Sequence, residues 1–276
     1  MALTFKDRTL ELDTPCVMGI LNVTPDSFSD GGKFTHIEAA MQQVRQMVAD
    51  GAAIIDIGGE STRPGAEPVN VNEELERVIP VIEAVRNESA VPVSIDTSKP
   101  EVMREALKAG ADMVNDVYAL RIDGAVELIA EHGVPVCLMH MQGEPRTMQS
   151  TPQYAHLIED IKTFLAERVA TCQAAGIKRE RILLDPGFGF GKTPEQNMSL
   201  IKHLGEFLTL GLPILAGVSR KSSVGYILKK EVDERLYGSI ALATMAIMNG
   251  ASIIRAHDVA ATVDAIKMCQ AVNLAP

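Results

Sequence analysis

The chain has 276 residues, a length that suits one α/β barrel or two smaller domains. Acidic residues (36) outnumber basic ones (26), and the resulting net charge of −10 disfavours nucleic acid and anionic membranes as partners. The four cysteines are widely separated and lack zinc-ligand spacing, which favours reduced thiols in the cytoplasm. No apolar segment approaches the roughly 20 residues that span a bilayer, and the first residues are charged, so neither a membrane span nor a secretory signal is expected.

Short apolar runs recur along the chain, and each is followed by a longer segment of helical pattern. The runs are mostly continuous rather than alternating, which is typical of parallel strands covered on both faces. The predicted strands are 17–21, 53–57, 92–95, 111–115, 135–139, 181–185, 213–216 and 252–255. Between them, apolar stripes with a 3.6-residue period are clearest over 37–48, 75–85 and 158–172.

Eight strands that alternate with helices predict a (β/α)8 TIM barrel, with an open doubly wound sheet as the alternative. Residues 3–12 alternate between apolar and polar around the polar segment 6–8, which indicates a β-hairpin that closes the lower end of the barrel. No linker, repeat or change in composition divides the chain. We therefore expect one domain over residues 1–276.

Polar residues stand at the carboxyl end of every predicted strand. They are Asn22, Asp56, Asp96, Asn115, His140, Asp185, Ser219 with Lys221, and Arg255 with His257. Asp and Asn are common where strands end, because they favour turns and helix caps, so any one of them is weak evidence. All of them together predict a ligand site in the barrel mouth. His140 receives no role, since an isolated histidine is more often a packed core residue.

Three loops at the same end are unusual in composition. Residues 22–33 form a long polar segment, which we interpret as a lid that orders over a substrate. Residues 58–65 combine glycines with hydroxyl side chains and an arginine. Residues 185–193 are rich in glycine and end in Gly-Lys-Thr, but the spacing is one residue too short for a Walker A phosphate loop.

These motifs, in this order, resemble the dihydropteroate synthases, a family of pterin-binding enzymes. The resemblance covers nearly the whole chain and is carried by segments 18–32, 56–65, 94–97, 115–116, 184–192, 219–221 and 255–258. It implies condensation of 6-hydroxymethyl-7,8-dihydropterin diphosphate with 4-aminobenzoate, in which diphosphate leaves before the amine attacks. The product is 7,8-dihydropteroate, a folate precursor, and sulfonamides are expected to compete with aminobenzoate.

The residue types suit this chemistry. The edge of a pterin presents both hydrogen-bond donors and acceptors, which the acids, the amide and the lysine of the mouth can match. The residues expected at the pterin are Asp96, Asn115, Asp185 and Lys221. The residues expected at the diphosphate are Asn22, Thr62, Arg255 and His257. Asn22 is also the expected ligand of a Mg²⁺ cofactor, because Mg²⁺ prefers oxygen and takes few protein groups when a phosphate completes its shell.

Two further groups of residues complete the expected site. The resemblance places Thr62, Arg63, Phe190, Ser219 and Arg220 around the aminobenzoate. Lys221 and Arg255 are expected to contribute to catalysis, together with Phe28 and Asp30 of the lid, which would shield and stabilise a pterin cation. Small molecules are thus the expected partners.

Two questions stay open at this level. A non-catalytic pterin-binding barrel, such as one that presents methyltetrahydrofolate to a partner, would share the pterin residues. It would not need the Arg255 and His257 anion site or the loop at 61–64, and the presence of both favours the enzyme.

Residues 238–248 are apolar on nearly all sides, which fits either a helix wedged between neighbours or the face of a homodimer, as the family also suggests.

Overall fold

A parallel eight-stranded barrel forms the centre of the molecule. The computed structural model describes residues 1–24, 33–61, 68–143 and 152–276, with the backbone alone described for 33–35. The strands are β3 (Cys16–Asn22), β4 (Ile54–Gly58), β5 (Val93–Asp96), β6 (Met113–Asp116), β7 (Val136–Met139), β8 (Ile182–Asp185), β9 (Leu215–Ala216) and β10 (Ile253–Ala256). Their order in the sheet is β8-β7-β6-β5-β4-β3-β10-β9.

The sheet closes on itself. β3 and β10, the first and last strands of the sheet along the chain, pair in parallel, with Val17 opposite Ile254. At the remaining seam, a parallel bridge joins Leu184 of β8 to Ile214, and the Leu184 N–H donates to the Pro213 carbonyl at 3.0 Å. The predicted (β/α)8 barrel is therefore confirmed, and the doubly wound sheet is excluded because its first and last strands would lie apart.

Helices cover the outside of the barrel between successive strands. They are α1 (Lys33–Ala49), α2 (Val71–Glu88), α3 (Pro100–Ala109), α4 (Ala125–His132), α5 (Leu157–Ala174), α6 (Pro194–Lys202), α7 (Ser222–Leu228), α8 (Leu236–Met248) and α9 (Val259–Asn273). α2 and α6 begin at capping boxes, Asn70 with Glu73 and Thr193 with Gln196, which satisfy backbone N–H groups of the first turn. In the described part of the chain, no helix is both long and apolar enough to cross a membrane.

The predicted N-terminal hairpin is confirmed and closes one end of the barrel. β1 (Ala2–Thr4) pairs with β2 (Thr9–Glu11) in antiparallel register. Leu3, Phe5 and Leu12 are buried in one apolar cluster with residues from the amino ends of the strands, among them Met18, Ile54, Met113, Leu183, Leu215 and Ile253. This end is filled with apolar side chains, so polar groups of the strands are confined to the opposite, carboxyl end.

Candidate active site

The carboxyl end of the barrel contains a buried ionic network centred on Arg255 of β10. Its Nε donates to Asp56 Oδ2 at 2.6 Å, and its Nη2 donates to Asp96 Oδ2 at 2.7 Å. Asn115 Nδ2 donates to the same Asp56 oxygen at 3.1 Å. These bonds link β10 to β4, β5 and β6. Four separate stretches of sequence therefore meet at one point of the barrel mouth.

Asp56 lies at the middle of this network. Its side chain is fully buried, and its Oδ1 has no hydrogen-bond partner within the described residues. A buried carboxylate oxygen without a donor is costly. The second oxygen therefore marks a place where a ligand donor or a water would be stabilised.

The acids of the mouth are harder to ionise than ordinary carboxyl groups. Burial raises the pKa of Asp96 to about 7, although the nearby charge of Arg255 opposes the shift. Burial likewise raises the pKa of Asp185, against the opposing effects of the Gly187 N–H and of Lys221. Burial therefore disfavours the ionised forms of these carboxyl groups. Hydrogen-bond donors on a ligand would favour the ionised forms again.

Asp185 and Lys221 form a second part of the site. Asp185 ends β8, and its Oδ1 accepts a hydrogen bond from the Gly187 N–H at 2.7 Å. The Lys221 ammonium lies 4.1 Å from the centre of the Phe190 ring, a cation–π contact. The Lys221 stem passes so close to Gly189 (φ +84°) that a Cβ there would lie 3.2 Å from Lys221 Cδ. The glycine-rich loop is therefore shaped around the lysine.

Ser219 and Arg220 are each tied to the segment that follows β10. Ser219 Oγ accepts from the His257 backbone N–H at 3.2 Å and lies 3.0 Å from His257 Nδ1. Because a hydroxyl can both donate and accept, this contact orients the imidazole ring with either nitrogen protonated. Arg220, in a left-handed conformation (φ +55°), makes a two-pronged ion pair with Asp258, with Nε to Oδ2 at 3.0 Å.

The structure thus shows where most of the predicted site residues lie. The ends of β3, β5, β6, β8 and β10 carry Asn22, Asp96, Asn115, Asp185 and Arg255. The adjoining loops carry Phe190, Ser219, Arg220, Lys221 and His257. The predicted residues Phe28, Asp30, Thr62 and Arg63 lie outside the described residues.

Two residues at this end were not assigned a role from the sequence. Asp56 was noticed as a strand-end acid, and a stronger signal was present, because it is a charged residue inside the continuous apolar run of β4. Lys192 is buried beneath the glycine-rich loop, and no pattern in the sequence distinguishes a buried lysine from an exposed one.

Comparison with known proteins agrees with this geometry. The family model described as pterin binding enzyme matches residues 18–257. A dihydropteroate synthase of Haemophilus influenzae is 51% identical over 98% of this chain and 98% of its own. The chain belongs to the dihydropteroate synthase family of pterin-binding enzymes.

Solved dihydropteroate synthases have the same fold. The enzyme of Yersinia pestis, in complex with a sulfonamide drug, superimposes with a TM-score of 0.95 and 50% identity, covering all of both chains. That of Xanthomonas albilineans with 4-aminobenzoic acid gives a TM-score of 0.94 at 50% identity, covering 100% of this chain and 99% of the other. Membership of this family makes the chain a transferase of folate biosynthesis. A methyltetrahydrofolate-binding barrel is not favoured.

The raised pKa of Asp96 leads to a prediction about proton release. Because burial raises the pKa of Asp96, part of the carboxyl population is protonated near neutral pH, and binding of 6-hydroxymethylpterin should release a fraction of a proton as ring N–H donors select the carboxylate. Calorimetry at pH 7 in buffers of different ionisation enthalpy measures this number. Asp96→Asn should abolish the release, whereas Asp264→Asn, an exposed acid on α9, should preserve it. Equal release by the wild type and Asp96→Asn would contradict the assignment.

Proposed function

We propose that the chain condenses 6-hydroxymethyl-7,8-dihydropterin diphosphate with 4-aminobenzoate, forming 7,8-dihydropteroate and releasing diphosphate, in the cytoplasm. The observation that carries this proposal is the buried Arg255 network, which sets acids, an amide and a cation around one open end of the barrel. The 4-aminobenzoic acid held by the Xanthomonas albilineans enzyme supports the second substrate. The four free cysteines suit a reducing compartment.

The acids and the amide of the mouth bind the pterin ring in this proposal. The carboxylates of Asp96 and Asp185 accept from the amino and N–H groups of the ring. Asn115 both donates and accepts, and Lys221 donates to a ring acceptor. Because Asn115 and Asp185 are buried, a ring that lacks the matching edge would leave them unpaired, which discriminates strongly between ligands.

The leaving diphosphate is bound beside the pterin by Arg255 and His257. Only two of the five guanidinium donors of Arg255 are used in the bonds to Asp56 and Asp96, so the group can also stabilise negative charge. The ring of His257, oriented by Ser219, is proposed to donate to a phosphate oxygen. Thr62 is proposed to add a hydroxyl on the same side.

The diphosphate then leaves before the amine of aminobenzoate attacks. The bond between the pterin methylene and the diphosphate oxygen breaks, and its electron pair leaves with the diphosphate. The resulting cation is delocalised over the dihydropterin ring. The amine lone pair of aminobenzoate forms the new C–N bond, and the nitrogen loses one proton to solvent. Holding both reactants in contact supplies much of the rate enhancement, because the aniline is a weak nucleophile.

The aminobenzoate is proposed to lie against Phe190, near Ser219 and Arg220. Phe190 packs with Val117 and Met139 and is nearly buried, so it offers a firm apolar wall to a ring. Asp258 holds the Arg220 guanidinium in place by the two-pronged ion pair. Proposed contacts from Arg63, and the shielding of the cation by Phe28 and Asp30, involve residues outside the described part of the chain.

The donor set is compatible with Mg²⁺ carried by the diphosphate. Within the described residues, no group of three or more His, Cys, Asp or Glu side chains could hold a metal ion by itself. Asn22 ends β3, which pairs with the Arg255 strand β10, and its amide oxygen is therefore proposed to face the diphosphate. A single hard oxygen suits Mg²⁺ that takes most of its ligands from phosphate and water. When bound, Mg²⁺ would neutralise charge on the leaving diphosphate.

Turnover of the two purified substrates tests the proposed function. Continued diphosphate release over many turnovers should require aminobenzoate, which consumes the pterin cation, and should fall to background when a chelator removes Mg²⁺. Asn22→Ala should raise the Mg²⁺ concentration needed for half-maximal rate by at least about tenfold, since one of the few protein ligands is lost. Asn87→Ala, an exposed residue of α2, is the matched control and should behave as the wild type. Continued release over many turnovers without aminobenzoate, or an unchanged Mg²⁺ requirement in Asn22→Ala, would contradict the respective part of the proposal.

A homodimer is proposed to form through α8 and α9. The apolar residues of α8 divide between two faces: Leu242, Ala246 and others are buried, whereas Tyr237 is 79% and Met245 53% exposed. α9 packs against α8 and adds exposed Met268 and Val272 to this patch. α8 carries no charged residue, as is typical of the centre of an interface between copies. In this proposal the segment 238–248 packs against the barrel on one face and against a second copy on the other.

Sedimentation equilibrium tests the dimer. The wild type should sediment at twice the 29.8 kDa of one chain. Met245→Lys combined with Tyr237→Lys should yield monomer, because it places two charges in the apolar patch. Val48→Lys, at a partly exposed apolar position on α1, should remain dimeric. A monomeric wild type, or a dimer in the double variant, would exclude this interface.

A further inference from the structure

Lys192 is a buried cation that the proposed reaction does not use. It follows the glycine-rich loop after β8 and is only 1% exposed. Lysine is rarely buried to this extent, because removing an ammonium from water is costly unless partners replace the water. The loop ends in Gly-Lys-Thr, as a Walker A phosphate loop does, but its lysine points into the protein.

The ammonium of Lys192 has three acceptors for its three N–H groups. Nζ lies 2.8 Å from the Gly187 carbonyl oxygen, 3.0 Å from the Phe190 carbonyl oxygen and 3.1 Å from His140 Nδ1. Burial lowers the pKa of Lys192 to about 7, and Asp185 opposes this effect. The contacts therefore match the protonated form and use all of its donors.

His140 is suited to be the third acceptor. Burial lowers its pKa to about 2, with the charge of Lys192 adding to the effect, so the imidazole is neutral. With Nδ1 accepting from Lys192, the ring proton lies on Nε2. The edge of the Phe164 ring packs against the imidazole at a centroid distance of 5.0 Å, which restricts the ring. The lysine is thereby anchored to the segment that follows β7.

The two carbonyls bound by Lys192 belong to the residues that shape the pterin site. The Gly187 N–H donates to Asp185, and the Phe190 ring carries the ammonium of Lys221. The backbone between them needs an anchor, because Gly187 has φ +75° and glycine is conformationally permissive. A Cβ at Gly187 would lie 1.8 Å from the His140 carbonyl oxygen, so the loop touches the β7 segment backbone to backbone.

We propose that Lys192 is a positioning residue for pterin binding: it ties Gly187 and Phe190 to His140 and so sets where the Asp185 carboxylate and the Phe190 ring meet the pterin. The inference rests on the proposed function, since it assumes that Asp185 binds the pterin. Lys192 itself touches no substrate in this account.

Lys192→Met tests the inference, because it preserves the length of the side chain and removes the three donors. The Phe190 carbonyl loses the hydrogen bond from Lys192, and the Gly187 carbonyl keeps only the one from the Phe190 N–H. The Kd of 6-hydroxymethylpterin should therefore rise about tenfold to a hundredfold. The KM of the pterin diphosphate should rise by a similar factor, and the KM of aminobenzoate by less. Lys202→Met, an exposed lysine at the end of α6, should leave both constants unchanged. A folded Lys192→Met protein with the wild-type pterin Kd would overturn the inference.

A pair of variants at His140 keeps the test decisive if Lys192→Met does not fold. His140→Asn retains an acceptor at the position of Nδ1, whereas His140→Leu removes it. Pterin binding should be weakened in the leucine variant and restored in the asparagine variant, both measured well below their unfolding temperatures. Equal, wild-type affinity in both variants would overturn the inference. Absence of turnover by the wild type would instead overturn the proposed function, so the two failures are distinguishable.

Discussion

The structure depends on one buried interaction, the bridging of Asp56 and Asp96 by Arg255. Burying a charge costs several kcal/mol unless its partners are well placed, and removal of one partner leaves the others uncompensated. The bridge satisfies this condition only if β10, β4 and β5 are held at one end of the same closed sheet. Closure of the barrel and assembly of the site are therefore parts of the same structural requirement.

The amino end of the barrel contributes to stability, and the carboxyl end carries the candidate site. At the amino end, Phe5 and its neighbours fill the interior with apolar side chains and leave no place for a polar ligand. At the carboxyl end, buried carboxyl groups are kept hard to ionise, and one oxygen of Asp56 has no partner within the described residues. In the proposed function a pterin would donate hydrogen bonds to these carboxyl groups, so its binding energy would come from groups that the fold has already taken out of water.

Much of the fold could be predicted from the sequence, because parallel strands covered on both faces must be continuously apolar. The bounds differ where a strand is short: 213–216 was predicted and β9 spans Leu215–Ala216, while Pro213 and Ile214 make the backbone contacts to β8. The strand-end position of Asp96, Asn115, Asp185 and Arg255 was likewise predictable from the local pattern. Their functional roles are proposals, supported by the family to which the chain belongs.

The rest of the site depends on contacts that arise only when the barrel closes. The ion pair of Arg220 with Asp258 joins residues that follow different strands, and nothing local in either segment indicates it. The same is true of Lys192 and His140, which are 52 residues apart in the chain. The amino-acid sequence alone does not distinguish a buried lysine from an exposed one. Their difference is the set of acceptors that the fold brings to the ammonium.

A crystal structure of this chain with 6-hydroxymethylpterin tests the central claim most directly. The account predicts the ring in the barrel mouth, with its amino and N–H edge within hydrogen-bonding distance of the Asp96 and Asp185 carboxylates, and with Arg255 still bridging Asp56 and Asp96. A pterin bound elsewhere, or bound in the mouth with its N–H edge turned away from both carboxylates, would contradict it.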